Sequence, residues 1–181
     1  HASANKHNLL QPVGALCVSC HKDIGEQLAK NKFGHSPVKA GCVTCHDPHA
    51  SAASERLLVK AVPALCLACH KPDQPAFSKA HLGYPVAKGD CTSCHDPHGS
   101  DTQALLWNNV HKPMVSKMCA QCHNDAGSAT ALQTKKQGLD VCRSCHSEVV
   151  NEVFTAKYIH PPVLDRVACL MRLGGHQPAN G

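Results

Sequence analysis

The chain has 181 residues and a formal net charge of +5 at neutral pH; 43% of its residues are hydrophobic but only 3% are aromatic. Twelve glycines and twelve prolines interrupt it. Side-chain burial alone would struggle to offset the conformational entropy of such a chain, so an ordinary apolar core is excluded. No stretch approaches the roughly 18 apolar residues of a membrane helix, and the dispersed lysines form no basic tract that would indicate nucleic-acid binding.

The most informative feature is Cys-x-x-Cys-His, which occurs six times and accounts for twelve of the thirteen cysteines. Two thiols on one helical turn can add to the two vinyl groups of a porphyrin, and the histidine that follows then lies beneath the iron as its proximal ligand. The sequence therefore predicts six haem c groups. The thioether cysteines and proximal histidines are Cys17, Cys20 and His21; Cys42, Cys45 and His46; Cys66, Cys69 and His70; Cys91, Cys94 and His95; Cys119, Cys122 and His123; and Cys142, Cys145 and His146.

Two other uses of paired cysteines explain the pattern poorly. A structural zinc site can use Cys-x-x-Cys pairs, but it does not require histidine directly after every pair. A thioredoxin-like dithiol would occur once, near a strand-helix pattern, and not six times. Covalent haem is the interpretation that explains every motif.

Covalent haem also accounts for the composition and the charge. Each haem adds a large apolar face and a covalent crosslink, so the cofactors are expected to form the interior and the polypeptide to wrap them. Each ferric haem with ionised propionates carries about one negative charge, which brings the loaded protein close to neutrality. Haem c is attached outside the cytoplasmic membrane, so we expect a periplasmic or extracellular protein of a prokaryote, whose leader peptide has been removed.

Repeats organise the chain, and they are of two kinds. In the first kind, a histidine precedes the motif and Asp-Pro-His follows it, as in His35 to His49 and His81 to His98. In the second, a leucine pair precedes the motif, as at Leu9 and Leu57. The fifth motif combines features of both kinds, and His1-Ala2-Ser3 resembles the start of His49-Ala50-Ser51. We therefore expect one hexahaem domain over residues 1–181, built from imperfect repeats.

The predicted fold is mostly irregular, with short α-helices, little or no β structure and a closely spaced row of haems. Each motif should occupy one helical turn, and Asp-Pro should end two of these turns. Longer helices are predicted around 22–32, 50–60 and 147–158.

Residues 160–176 resemble a seventh unit that has lost its haem motif. Cys169 lies where a first thioether cysteine would stand, but Arg172 and Leu173 replace the second cysteine and the histidine. Cys169 is therefore interpreted as a remnant; a buried free thiol and an intermolecular disulfide are the alternatives. His176 is the weakest ligand candidate, because its unit has no motif.

Nine histidines remain after the proximal ones, and two positional classes supply six of them. One class precedes a motif and the other ends Asp-Pro-His. We predict that these six are the distal iron ligands, the alternative for each being an exposed or second-shell histidine. They are His35, His49, His81, His98, His111 and His160. His1 and His7 are further candidates, within the chain or toward a neighbouring subunit.

Methionine is the other common axial ligand and would raise the reduction potential. The chain has only Met114, Met118 and Met171. The first two lie ahead of the fifth motif at helical spacing, which favours packing against porphyrin. Bis-histidine ligation throughout, with low potentials, is the prediction.

The alternating units, with CHDPH followed by a small residue, serine and a leucine pair, resemble the doubled-CXXCH multihaem cytochromes c over roughly residues 1–160. This resemblance implies an extended wrapper of loops and helices around stacked haem pairs. It also implies a role like that of periplasmic electron-transfer subunits, porin–cytochrome conduits or extracellular cytochrome filaments.

Electron transfer through the haems, with no substrate site and no enzymatic activity, is thus the predicted function. The expected partners are redox proteins or an extracellular electron acceptor, with no nucleic acid and no membrane span. Two alternatives remain: self-association into a conductive filament, in which contacts that do not close give an open polymer, and a multihaem reductase, which would require an iron with an open coordination position.

Overall fold

A computed structural model describes residues 3–159, and over this range the predicted irregular fold with short helices and little β structure is confirmed. His1, His160 and the whole remnant unit with Cys169, Met171 and His176 lie outside the described residues. The expectation of one hexahaem domain stays a prediction. The helices and strands within the described range are α1 (Val13–Cys20), α2 (Lys22–Lys30), β1 (Phe33–Gly34), α3 (Ser36–Ala40), α4 (Ala64–Leu67), α5 (Pro75–Ala80), β2 (Gly99–Ser100), α6 (Lys112–Val115), α7 (Leu139–Arg143) and α8 (Ser147–Thr155).

The chain forms two compact units. Among the described residues, the first comprises 3–68 and 95–108, and the second comprises 69–94 and 109–159. No helix in the described part of either unit is long and apolar enough to cross a bilayer.

Every motif begins on a helical turn, as predicted. The first lies at the end of α1, the third begins in α4 and the sixth in α7, while short 3₁₀ helices carry the others at Cys42–Thr44, Cys91–Ser93 and Cys119–Gln121. Proline at the first or second position starts α3, α5 and α6, where its missing N–H costs nothing. The longer helices predicted around 22–32 and 147–158 are confirmed as α2 and α8.

The helix predicted around 50–60 is wrong, because this segment folds back on its own motif. The N–H of Asp47 donates to the carbonyl of Leu57 at 2.8 Å, and the N–H of Val59 donates to the carbonyl of Cys45 at 2.9 Å. Ser51 Oγ donates to the carbonyl of Leu58 at 2.5 Å. These bonds satisfy the backbone groups that a helix would have paired internally. We call such a segment a return loop; residues 51–58, 100–106 and 130–134 form the three that follow the second, fourth and fifth motifs.

The described chain has almost no apolar core of its own. Its buried hydrophobic residues are Tyr84, Ala131 and Val150, whereas Leu10 is 91% exposed and Tyr158 is 83% exposed. A domain of this length normally buries far more apolar surface. The composition argument therefore holds for the folded polypeptide.

The single pair of strands in the described chain holds two distant segments of the first unit together. Phe33 pairs with Ser100 and Gly34 with Gly99 in antiparallel register. Gly99 has φ +155°, and a Cβ built there would lie 3.0 Å from the carbonyl oxygen of Phe33. This contact is tighter than nearly all contacts of real Cβ atoms, and the positive φ is unfavourable for other residues, so the position favours glycine.

Replacing Gly99 with alanine should therefore weaken the β1–β2 pair, lowering the free energy of unfolding by about 1–3 kcal/mol. Chemical denaturation followed by far-ultraviolet circular dichroism measures the change. Gly34→Ala is the control, because nothing lies within 4 Å of a Cβ at Gly34. Equal losses in both variants would contradict the close-approach explanation.

Candidate haem sites

The return loops position three of the predicted proximal histidines. His46 Nδ1 lies 2.9 Å from the carbonyl oxygen of Arg56, and His95 Nδ1 lies 2.8 Å from that of Ala104. His123 Nδ1 makes the same bond to Leu132 at 2.8 Å. A carbonyl can only accept, so Nδ1 is the donor and Nε2 keeps its lone pair. This is the tautomer that binds a metal through Nε2.

Each of these bonds lies beside a short backbone bridge. His46, His95 and His123 form isolated antiparallel bridges to Leu58, Leu106 and Thr134, respectively. Backbone and side chain of the proximal histidine are thus both held by the return loop, which fixes the direction of Nε2.

Two of the predicted distal histidines are held in the same tautomer. His35 Nδ1 lies 2.9 Å from the carbonyl oxygen of Pro97, and His81 Nδ1 lies 2.9 Å from that of Phe77. The ring of Phe77 also packs against His81, with centroids 4.5 Å apart. Both imidazoles are therefore held in the tautomer whose Nε2 carries the lone pair that binds a metal.

In two pairs of predicted ligands, called here the facing pairs, the ring centroids lie at the separation that two imidazole ligands of one iron require. The rings of His46 and His98 have centroids 6.2 Å apart, and those of His111 and His146 have centroids 6.0 Å apart. With metal–nitrogen bonds of about 2.0–2.1 Å, two imidazoles on opposite sides of one metal have centroids about 6.3 Å apart. In each pair one ring is a predicted proximal ligand and the other a predicted distal one. The partners come from different motifs.

A buried carboxylate supports His98. The backbone N–H of His98 donates to Asp96 Oδ1 at 3.0 Å, and its Nδ1 lies 3.8 Å from the same atom. Gln27 of α2 donates from Nε2 both to Asp96 Oδ2 and, at 3.2 Å, to the carbonyl of Gly99. Asp96 is only 4% exposed. Helix α2, which follows the first motif, thereby anchors the loop after the fourth.

Burial is the main cause that lowers the pKa of His98 below its usual value, against the opposing effect of Asp96. Neutral imidazole is the form that binds a metal. The environment of His98 therefore favours the ligating state before any cofactor is present.

The sequence Asp-Pro-His also occurs at Asp47 to His49, in a different setting. The N–H of His49 donates to Asp47 Oδ1 at 3.0 Å, and this bond lowers the pKa of the Asp47 carboxyl. The His49 side chain is 92% exposed, whereas that of His98 is 32% exposed. Identical sequences thus form one partly buried and one open site.

Thiols of successive motifs lie close together. Burial raises the pKa of the Cys17 thiol, and the adjacent, hydrogen-bonded Cys42 thiol raises it further. In the second unit, burial and then the nearby Cys119 raise the pKa of Cys94. The attachment points of the first and second motifs, and of the fourth and fifth, are therefore neighbours.

An open apolar cavity of 360 Å³ lies beside the fifth motif, lined by Leu82, Tyr84, Met118 and Ala126 among others. Tyr84 is 8% exposed, and its ring packs edge-on against His123 with centroids 6.4 Å apart. Packing of Met118 against porphyrin stays a prediction. The lining nevertheless matches what the apolar edge of a haem requires.

Several supporting groups were not predicted from the sequence: the return-loop carbonyls, Gln27 and Tyr84. A signal existed for the first, because serine followed by a leucine pair recurs after the motifs. The isolated Gln27 and Tyr84 carry no such repeat. His7, a predicted alternative ligand, lies in the 3₁₀ turn Lys6–Asn8 with φ +61°.

The paired thiols, the oriented histidines and the facing pairs of imidazoles together fit several covalently attached haems. These features define a multihaem c-type cytochrome, a class of protein that transfers electrons. A family model described as the doubled CXXCH motif matches residues 35–75, 84–110 and 111–151, more than half of the chain. The chain belongs to this family. No curated protein matches it.

Asp96→Ala should cost about 1–3 kcal/mol in the free energy of unfolding, because it leaves Gln27 and the His98 N–H without their buried acceptor. The matched control is Asp47→Ala, in the same Asp-Pro-His sequence but exposed, and its loss should be clearly smaller. Denaturant titrations of both loaded variants measure the difference. Equal effects would show that the Gln27 contact contributes nothing.

Proposed function

We propose that the chain carries six haem c groups, all ligated by two histidines, and passes electrons between them as a periplasmic or extracellular respiratory carrier. The facing imidazole pairs carry this proposal. Bound haem would supply a one-electron Fe(III)/Fe(II) couple. The protein would set the position, ligation and electrostatic environment of each iron.

The two pairs support specific ligand assignments. His46 and His98 would hold the iron of the second motif, and His146 and His111 that of the sixth. Among the other predicted distal ligands, His35 and His81 are held in the tautomer that binds iron through Nε2. His49 and His160, the latter outside the described residues, are the remaining two. The twelve motif cysteines would form the thioethers.

Ligation by two neutral imidazoles stabilises ferric iron relative to histidine–methionine ligation. The Nδ1–H···O=C bonds add to this effect, because they make each imidazole a more basic ligand. We therefore expect low reduction potentials. Neighbouring thiols from successive motifs support short distances between the attached haems, as electron hopping requires.

A carrier rather than an enzyme is favoured because nearly every iron has a histidine candidate for its sixth position. A reductase would require an open position with proton donors nearby. The partners proposed are redox proteins that supply and accept single electrons.

Replacing His98 or His111 with alanine should each convert one haem of the six to high spin, because one facing imidazole is lost. Electron paramagnetic resonance and magnetic circular dichroism measure the high-spin fraction. Added imidazole should restore the low-spin spectrum if the variant is otherwise intact. A spectrum unchanged in both variants would contradict the assigned pairs, and a methionine–iron charge-transfer band would contradict bis-histidine ligation.

Intact mass tests the number of haems, and electron microscopy of material sheared from the producing cell tests the form in which the protein works. Six haems and dispersed particles are expected for a soluble carrier. Ordered fibres would instead favour the filament hypothesis, and any other haem number would refute the proposed count.

A further inference from the structure

Residues 3–9 form a return loop that repeats the one after the fourth motif. Ser3 Oγ donates to the carbonyl of Leu9, and the N–H of Asn5 donates to Ser3 Oγ at 3.1 Å. In the loop 100–106, Ser100 Oγ donates to the carbonyl of Leu106, and the N–H of Thr102 donates to Ser100 Oγ at 3.0 Å.

The backbone of the two loops agrees as closely as their hydrogen bonds. His7 has φ 61° and ψ 22°, and Ala104 has φ 58° and ψ 22°. Positive φ is uncommon outside glycine, so its recurrence at matching positions marks a common structure. Ala104 is the residue whose carbonyl accepts from His95. Because His7 corresponds to Ala104 when the two loops are aligned, the carbonyl of His7 lies where it could accept a hydrogen bond from the Nδ1 of a proximal histidine.

The repeat also predicts the opposite side of this site. The return loop 51–58 holds His46, and the ring facing His46 is His98, from the next Asp-Pro-His sequence. One repeat earlier in the chain, the loop 3–9 takes the place of the loop 51–58, and His49 takes the place of His98. The His49 side chain is 92% exposed, and its Nδ1 lies 3.4 Å from Asp47 Oδ1.

We propose that the loop 3–9 and His49 are two parts of one further haem site, whose CXXCH motif lies N-terminal to residue 1. In both complete examples the proximal histidine stands five residues before the loop serine, as His46 before Ser51 and His95 before Ser100. The missing histidine therefore belongs five residues before Ser3. This proposal rests on the proposed function and adds a site to it.

In this site the carbonyl of His7 would accept the Nδ1–H of the incoming proximal histidine, and His49 Nε2 would bind the iron from the other side. The Asp47 carboxylate, close to His49 Nδ1, would orient that ring. His49 is thereby assigned away from the six internal irons, which leaves His1 and His7 as candidates among their ligands.

The test uses the chain of residues 1–181, loaded with its own haems, and a synthetic haem c peptide with one CXXCH motif and an open sixth position. Titration should convert the peptide haem from high to low spin. His49→Ala should weaken binding at least tenfold, and Ser3→Ala should weaken it several-fold by loosening the loop. Lys6→Gln, at an exposed position of the same loop whose counterpart in the loop 100–106 is Gln103, should bind like the native chain.

Three results would overturn the proposal: no peptide binding, equal binding by His49→Ala, or loss of binding in Lys6→Gln. A fourth is a new high-spin signal in His49→Ala without peptide, since His49 would then ligate one of the internal irons. If the native chain without peptide contains a low-spin haem ligated by His49 that becomes high-spin on dilution, a second copy of the chain supplies that haem. The proposed preceding segment would then be wrong. Intact mass of the loaded chain, measured first, separates these failures from failure of the proposed haem count.

Discussion

The fold depends on one repeated hydrogen bond, from the Nδ1 of a motif histidine to a backbone carbonyl nine or ten residues further along the chain. This bond closes the return loop and selects the imidazole tautomer at the same time. A metal-binding histidine commonly needs such an acceptor, because a ring free to rotate or to change tautomer is a poorer ligand. Structure and chemistry therefore impose the same requirement on the return loop.

Scarcity of buried apolar side chains explains why so many of the stabilising contacts in the described chain are polar and local. With few buried hydrophobic residues in the described chain, cohesion comes from serine hydroxyls, backbone bridges and contacts such as that of Gln27 with Asp96. Net contributions of single hydrogen bonds are about 1 kcal/mol, so these contacts cannot replace a core. Covalently attached porphyrins would supply the missing apolar interior, and facing histidines from different motifs would join the repeats through the irons.

Much of the structure follows from patterns that can be read in the sequence. The motif spacing indicates a helical turn and a proximal histidine, and the recurring positions of His35, His81 and His98 identify equivalent positions of the internal repeat. The pairing of proximal with distal histidines was not predictable, because no local sequence feature indicates that His98 pairs with His46, which lies about 50 residues earlier. The segment 50–60 misled helix prediction for a similar reason: its alanines and leucines favour a helix, but its serine hydroxyl and carbonyls are used by the preceding motif.

The two Asp-Pro-His sequences show how far identical residues can differ in role. Asp96 and His98 are enclosed because α2 and the strand β1 lie beside them, and Gln27 occupies the second carboxylate oxygen. Asp47 and His49 form the same local turn, but in the described part of their unit no helix or strand buries them as α2 and β1 bury Asp96. The local sequence therefore determines the turn, and the neighbouring repeat determines its burial. An internal repeat can bury its faces only against another repeat. The exposure of His49 agrees with the further haem site proposed above, to which the hydrogen bonds of the loop 3–9 point independently.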